Sequence, residues 1–226
     1  MKKNIFKNNK NIKFYILSFL ISFITLLLCT KNSPLYAFNN WVDENAFFTV
    51  GKAWAHGIVP YRDIFEQKGP LLYFIFMLGS IISKKSFIGI FVFEVISLTI
   101  TLIFSCKIIQ LFLKDKFIYP ILPLLASIIC SSGFFVHGGS VEEFCFPFLF
   151  ISLYYFLKHF INSKISYIEL FINGFIAGCV SMMKFNLLGF WFIFMAAIFF
   201  DFIFSKEIKK AFISCIVFLV GMMLPI

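Results

Sequence analysis

The chain has 226 residues, of which 61% are hydrophobic and 14% charged, and its mean hydropathy is +0.94. A soluble domain has too little interior to hide so much apolar residue, so the composition excludes one and predicts an integral membrane protein. The formal net charge of +9 comes from basic residues at the ends of apolar runs. That distribution matches anionic headgroups and sets orientation, and it argues against a nucleic-acid partner.

Residues 1–13 hold five lysines and no acid, and read as a basic cytoplasmic N-terminus. Residues 14–226 read as a membrane domain. The apolar run over 14–30 predicts a first span. Its basic start resembles a signal peptide, but Leu35-Tyr36-Ala37 is a poor cleavage site, so an uncleaved helix is expected.

An external loop over 31–86 follows, with two short helices predicted inside it. The first covers about 43–56: acids open it, Phe47, Val50 and Trp54 share a face, and Gly57 stops it. Trp41 and Trp54 suit interface anchors. The second covers 70–83 and is opened by Pro70. Further spans are predicted at about 87–106, 117–135, 144–157, 168–183, 187–204 and 211–226.

The segment 70–83 is short for a span, and lysine placement decides its reading. If it stays at the surface, Lys31, Lys52, Arg62, Lys68, Lys84, Lys85 and Lys184 lie outside, and the other thirteen of the twenty basic residues lie inside. If it crosses, the balance becomes eight inside and twelve outside. The positive-inside rule favours a surface helix. The same choice puts Asp43, Glu44, Lys68, Glu142, Glu143 and Lys184 on one non-cytoplasmic side. The expected architecture is an all-α polytopic bundle of about seven transmembrane helices with two interfacial helices.

The six cysteines lie in or beside apolar runs without CxxC spacing, and the three histidines are far apart. Neither a zinc site nor a disulfide framework is indicated.

The polar residues that could carry chemistry are few. Asp43-Glu44 follows the first span; a carboxylate there can take a hydroxyl proton or hold a divalent cation. Its plainer use is to favour a helix N-terminus. Lys68 stands before the second surface helix, at the depth of a lipid phosphate, or it simply snorkels. Arg62 could pair with Asp63 or Glu66. Glu142-Glu143 sits at the mouth of a span with no local base, and Lys68 and Lys184 are the candidate partners. Lys184, between two apolar runs, is a functional candidate by position. Glu94, within a span, has no partner visible in the sequence, and Asp201, near a helix end, reads as structural.

The series Asp43-Glu44, Pro60-Tyr61-Arg62-Asp63 and Glu66-Gln67-Lys68-Gly69-Pro70 resembles the first external loop of the GT-C membrane glycosyltransferases. It is most similar to bacterial relatives of protein O-mannosyltransferases and of lipid A aminoarabinose transferase. The resemblance covers roughly 14–205, and the order of its short motifs carries it. Asp43, Lys68, Glu142 and Lys184 fall at the family's acid, lysine, acid and lysine positions. Two departures stand out: Lys68-Gly69-Pro70 replaces a Lys-Pro step, and Glu142-Glu143 replaces an Asp. The relatives continue through further spans, so the resemblance implies that the chain is an N-terminal half, a truncated product or a fragment, with the C-terminal part of the family fold expected to be missing.

The resemblance implies sugar transfer, with inversion, from a polyprenyl-phosphate donor to a lipid, protein or cell-wall glycan acceptor on the outer face of the cell membrane. It implies Asp43, with Glu44, as catalytic acids. It implies Lys68, Lys184 and Arg62 on the donor phosphate, and Glu142 or Glu143 orienting a lysine or the acceptor. A divalent cation, if used, would sit on Asp43 and Glu142. The other readings are a non-catalytic membrane relative and a transporter of lipid-linked sugars. A transporter predicts mid-membrane charge pairs and inverted repeats, and the sequence shows no clear repeat.

Overall fold

The computed structural model describes residues 2–113, 118–133, 135, 137–161 and 164–226, with residues 2–11 described by backbone alone. Helix makes up 74% of the chain, and among the described residues there is no strand, only one parallel bridge between Pro60 and Ile64. The helices are α1 (Lys2–Cys29), α2 (Val42–Ala55), α3 (Pro70–Ile82), α4 (Ile88–Gln110), α5 (Ile118–Cys130), α6 (Val141–Ile161), α7 (Tyr167–Ser181), α8 (Gly189–Phe204) and α9 (Ile208–Met223). A 3-10 turn, Phe185–Leu188, leads into α8.

Among the described residues, four stretches are long and apolar enough to cross a membrane: Ile12–Cys29, Ile88–Gln110, Val141–Ile161 and Phe185–Phe204. Pro70–Ile82, Ile118–Cys130 and Tyr167–Ser181 are shorter apolar helices. The described residues thus form an all-helical fold with four candidate membrane spans. The helices fall close to the expected ranges, with two informative differences.

α6 starts at Val141 rather than 144. Glu142 and Glu143 occupy its first turn, where the helix dipole favours acids, and the Ser140 hydroxyl accepts from the Glu143 N–H at 3.2 Å. α5 ends at Cys130 rather than at 135, because Ser131, Ser132 and Gly133 turn the chain. Phe117, the expected start of that span, lies outside the described residues.

α2 and α3 pack as a hairpin. The Phe47 ring meets Tyr73 at 6.1 Å and Phe76 at 5.6 Å, both edge-on. Such pairs contribute about 0.5–1.5 kcal/mol each. Phe76 in turn meets Phe144 of α6 at 6.2 Å, which docks the hairpin on the bundle. α4 packs on α1, α3 and α6, and α9 packs on α7 and α8.

The polar residues divide between the two ends of the bundle. At one end, α6 finishes near the start of α7 and the end of α8. Lys158 pairs with Glu169 at 2.7 Å, and Asp201 receives both Lys164 and, at 2.9 Å, His159 Nε2. The Ile165 N–H donates to His159 Nδ1 at 2.9 Å, so the imidazole proton sits on Nε2 and is given to Asp201. Ser166 and Glu169 close a capping box on α7. Asp201 is structural, tying α8 to the end of α6. The other end gathers the links 30–41, 57–69 and 131–140 with the starts of α2 and α6.

Candidate functional site

Local geometry fixes Lys68 before any ligand is considered. Tyr61 adopts a φ of +67° in the turn after Pro60, and its hydroxyl donates to the Lys68 carbonyl. The Lys68 N–H donates to the Tyr73 hydroxyl at 3.1 Å. Both main-chain groups of Lys68 are therefore held by tyrosines. Burial, with Glu66 nearby, pushes the Tyr61 phenol up to about 12, so it remains a donor.

Gly69 explains the departure from a Lys-Pro step. A Cβ at this position would lie 2.1 Å from the Met182 carbonyl oxygen, so only glycine fits. The Leu71 N–H donates to that carbonyl at 3.0 Å, and the Gly69 N–H donates to Met183 at 3.4 Å. The segment carrying Lys68 is thereby bonded to the end of α7, just before Lys184.

Lys184 follows α7 in extended backbone, with φ −147° and ψ 96°, and its ammonium donates to the Glu142 carboxylate. Asp43 is exposed in the first turn of α2. These four residues, from four separate segments, line one cavity of about 200 Å³. Trp41 and His137 complete its wall, their rings stacked at 5.6 Å and 23°. A neighbouring cavity of about 410 Å³ shares Lys68 and Lys184 and adds Tyr61, Gln67, Phe185 and Asn186. An apolar cavity of about 340 Å³ opens past the same turn, lined by Leu188, Trp191, Met195 and Phe218 among others.

The remaining expected residues go elsewhere. Arg62 pairs with its neighbour Asp63 at 2.7 Å and is not among the residues lining these cavities. The Arg62 guanidinium and the Val59 N–H bring the Asp63 carboxyl down to about 2. Glu44 and Glu143 point away from the cavity and are buried with Glu94. Sequence reasoning left Glu94 without a partner. Its partners, Asn32 and Thr30, lie 62 and 64 residues away. It also treated Trp41 as an anchor and gave His137 no role, and both line the cavity. The signal available was their position beside the acid pairs.

The groups of the cavity can bind an anion and can accept a proton. Two ammonium groups face it, and one carboxylate, Asp43, is in no ion pair among the described residues. A divalent cation fits less well. Among the described residues, no three His, Cys, Asp or Glu side chains converge to hold a metal ion. Glu142 already accepts from Lys184, so the pair Asp43 and Glu142 does not make a metal cage.

The family model described as "Putative competence-induced protein Ccs4 N-terminal domain" matches the chain over residues 1–226. No curated protein and no solved structure matches it. With its full length covered by that match, the chain belongs to the competence-induced protein Ccs4 N-terminal domain family.

Proposed function

We propose that the chain is a GT-C-like membrane glycosyltransferase domain acting on a polyprenyl-phosphate sugar at the outer face of the cell membrane. One observation carries the reading: Asp43, Lys68, Glu142 and Lys184 line a single cavity, although 141 positions separate the first from the last. In this reading α2 and α3 lie at the membrane surface, seven helices make up the membrane bundle, and the N-terminus is cytoplasmic.

Lys68 and Lys184, shared by the two polar cavities, hold the donor phosphate between them. Asp43 takes the proton from the acceptor hydroxyl as that oxygen attacks the anomeric carbon. The bond from the anomeric carbon to the phosphate oxygen breaks, and its electron pair leaves with the polyprenyl phosphate. The two ammonium groups offset that growing charge. A single displacement inverts the anomeric centre and needs no second carboxylate nucleophile. Glu142 positions Lys184, whose ammonium has donors left for phosphate. The apolar cavity beyond Leu188 suits the lipid tail. The acceptor, whether lipid, protein or wall glycan, enters beside Asp43.

The test uses the full chain in lipid nanodiscs titrated with polyprenyl phosphate. Charge-assisted hydrogen bonds contribute about 1.5–3 kcal/mol each. The double variant Lys68→Met/Lys184→Met is therefore expected to bind roughly 100-fold more weakly or worse. Asp43→Asn keeps binding but abolishes sugar transfer from the lipid donor in membranes. Binding within about twofold of wild type in the double variant ends the phosphate assignment. Lysine-dependent binding with transfer indifferent to Asp43 would remove Asp43 as the base and favour a lipid-phosphate carrier.

A further inference from the structure

Each tandem acid pair at the cavity is split. Asp43 and Glu142 face the cavity, while Glu44 and Glu143 turn inward to meet Glu94 of α4. Glu44, Glu94 and Glu143 are 0%, 2% and 2% exposed. None of them is in an ion pair among the described residues. Three buried carboxylates without a cation cannot all stay ionised at such range.

The hydrogen bonds show where the balance fails. The Asn32 amide donates to Glu94 Oε1 at 2.7 Å and also to Glu44 Oε1, and the Thr30 hydroxyl reaches Glu94 Oε1 at 3.5 Å. The Asn39 amide donates to the other oxygen of Glu44 and to the His137 carbonyl at 2.7 Å. These donors serve Glu44 and one oxygen of Glu94. Glu94 Oε2 and both carboxyl oxygens of Glu143 are buried without a well-formed hydrogen bond, with only the backbone N–H groups of Gly139 and Ser140 nearby. Yet the carboxyls of Glu94 and Glu143 lie within hydrogen-bonding reach of each other. Two carboxylates are acceptors only and cannot bond. Add one proton and they form an O–H···O bond that satisfies one oxygen of each.

We propose that Glu94 and Glu143 share a bound proton and, with Glu44, form a proton-held clasp that ties α2, α4 and α6 together behind the cavity. Among the described residues, no lysine, arginine or histidine forms an ion pair with any of these three groups. The groups around them are Thr30, Asn32 and Asn39 from the link after α1, the backbone of Gly139 and Ser140, and the Cys130 thiol of α5, with Cys29 of α1 beyond it. Gly138 and Gly139, at φ +83° and +69°, close over the cluster. A Cβ at Gly139 would lie 2.1 Å from Glu44 Oε1. A cation in place of the proton is disfavoured, because the Asn32 and Asn39 amide N–H groups already occupy Glu44 and one oxygen of Glu94.

Glu44, outside the spans, is held well above the ordinary carboxylate range by burial and then by the charge of Glu94. A group raised in the folded state contributes its full stability below its unfolded value and loses it as pH rises through the folded one. The clasp therefore holds in acid and loosens toward alkaline pH. The proposal stands apart from whatever reaction the cavity supports.

The test is thermal unfolding of the full chain in detergent between about pH 5 and about pH 9, beside Glu143→Gln. From the ordinary carboxylate range up to the shared proton's titration in the folded protein, the folded-to-unfolded ratio of the wild type falls about tenfold per pH unit and then levels off, and the variant, whose amide keeps its donor, loses that slope. Equal slopes overturn the proposal. So does alkaline protection of the wild type, but not the variant, by added calcium or sodium, which would make this a cation site. Infrared difference spectroscopy gives a readout that needs no folded variant. A neutral carboxylic acid carbonyl band in the wild type at neutral pH supports the clasp, and its absence overturns it.

Discussion

The two ends of the bundle treat their charges differently. At the end holding His159, every acid among the described residues is matched: Glu169 with Lys158, Glu207 with Lys210, and Asp201 with Lys164 and His159. At the cavity end, Lys184 is matched to Glu142, but Asp43 and Lys68 face the same space and neither is in an ion pair among the described residues. Behind them, three acids share amides and no cation. A charge closed on its neighbour fastens two helices; a charge left open onto a cavity can meet something else. The contrast separates structure from candidate function more clearly than the count of polar residues does.

Three substitutions would break or sharpen that contrast. Gly69→Ala has the largest expected effect. It drives a methyl into the Met182 carbonyl and should cost about 2–3 kcal/mol of stability, read as a lowered thermal midpoint, because overpacking cannot relax against backbone. It should also weaken polyprenyl phosphate binding by roughly tenfold as Lys68 and Lys184 separate. An unchanged midpoint would mean that the approach at Gly69 does not fix the lysines.

Asp201→Asn comes next. The His159 and Lys164 contacts lose their charge, which should cost about 1 kcal/mol of stability. Phosphate binding at the other end should not change. A loss of binding would show that the two ends are coupled and collapse the distinction.

Glu142→Gln should have the smallest effect, and its sign is the informative part. Removing one negative charge beside Lys184 should tighten phosphate binding about threefold to tenfold. Weaker binding in a titration would mean that the positioning of Lys184 by Glu142 outweighs the charge that the substitution removes.

Much of the fold was legible because its punctuation is local. Pro70 opens α3, Gly57 lies just past the end of α2, and the acids at 43–44 and 142–143 mark helix starts. The cavity was legible through topology, since charge counting put Asp43, Lys68, Glu142 and Lys184 on one side. What stayed hidden was the facing of neighbours. Successive helical residues point about 100° apart, so one acid of each pair can meet the cavity while the other is buried. Glu94 gave no hint of Asn32 or Thr30, because nothing local encodes a contact over more than 60 residues. Arg62 is the opposite case: its pairing with the adjacent Asp63 was one of the two readings the sequence allowed, and it is the one that forms.

The seam between Gly69 and Met182 has a mechanical consequence. Its bonds run main chain to main chain, from Leu71 and Gly69 to Met182 and Met183. Side-chain rotation cannot loosen them. When α7 tilts or slides in a thicker or thinner bilayer, it carries the foot of α3 with it. Lys68 and Lys184 then travel as a pair, and the gap between the two cations is kept while the rest of the bundle adjusts to the membrane.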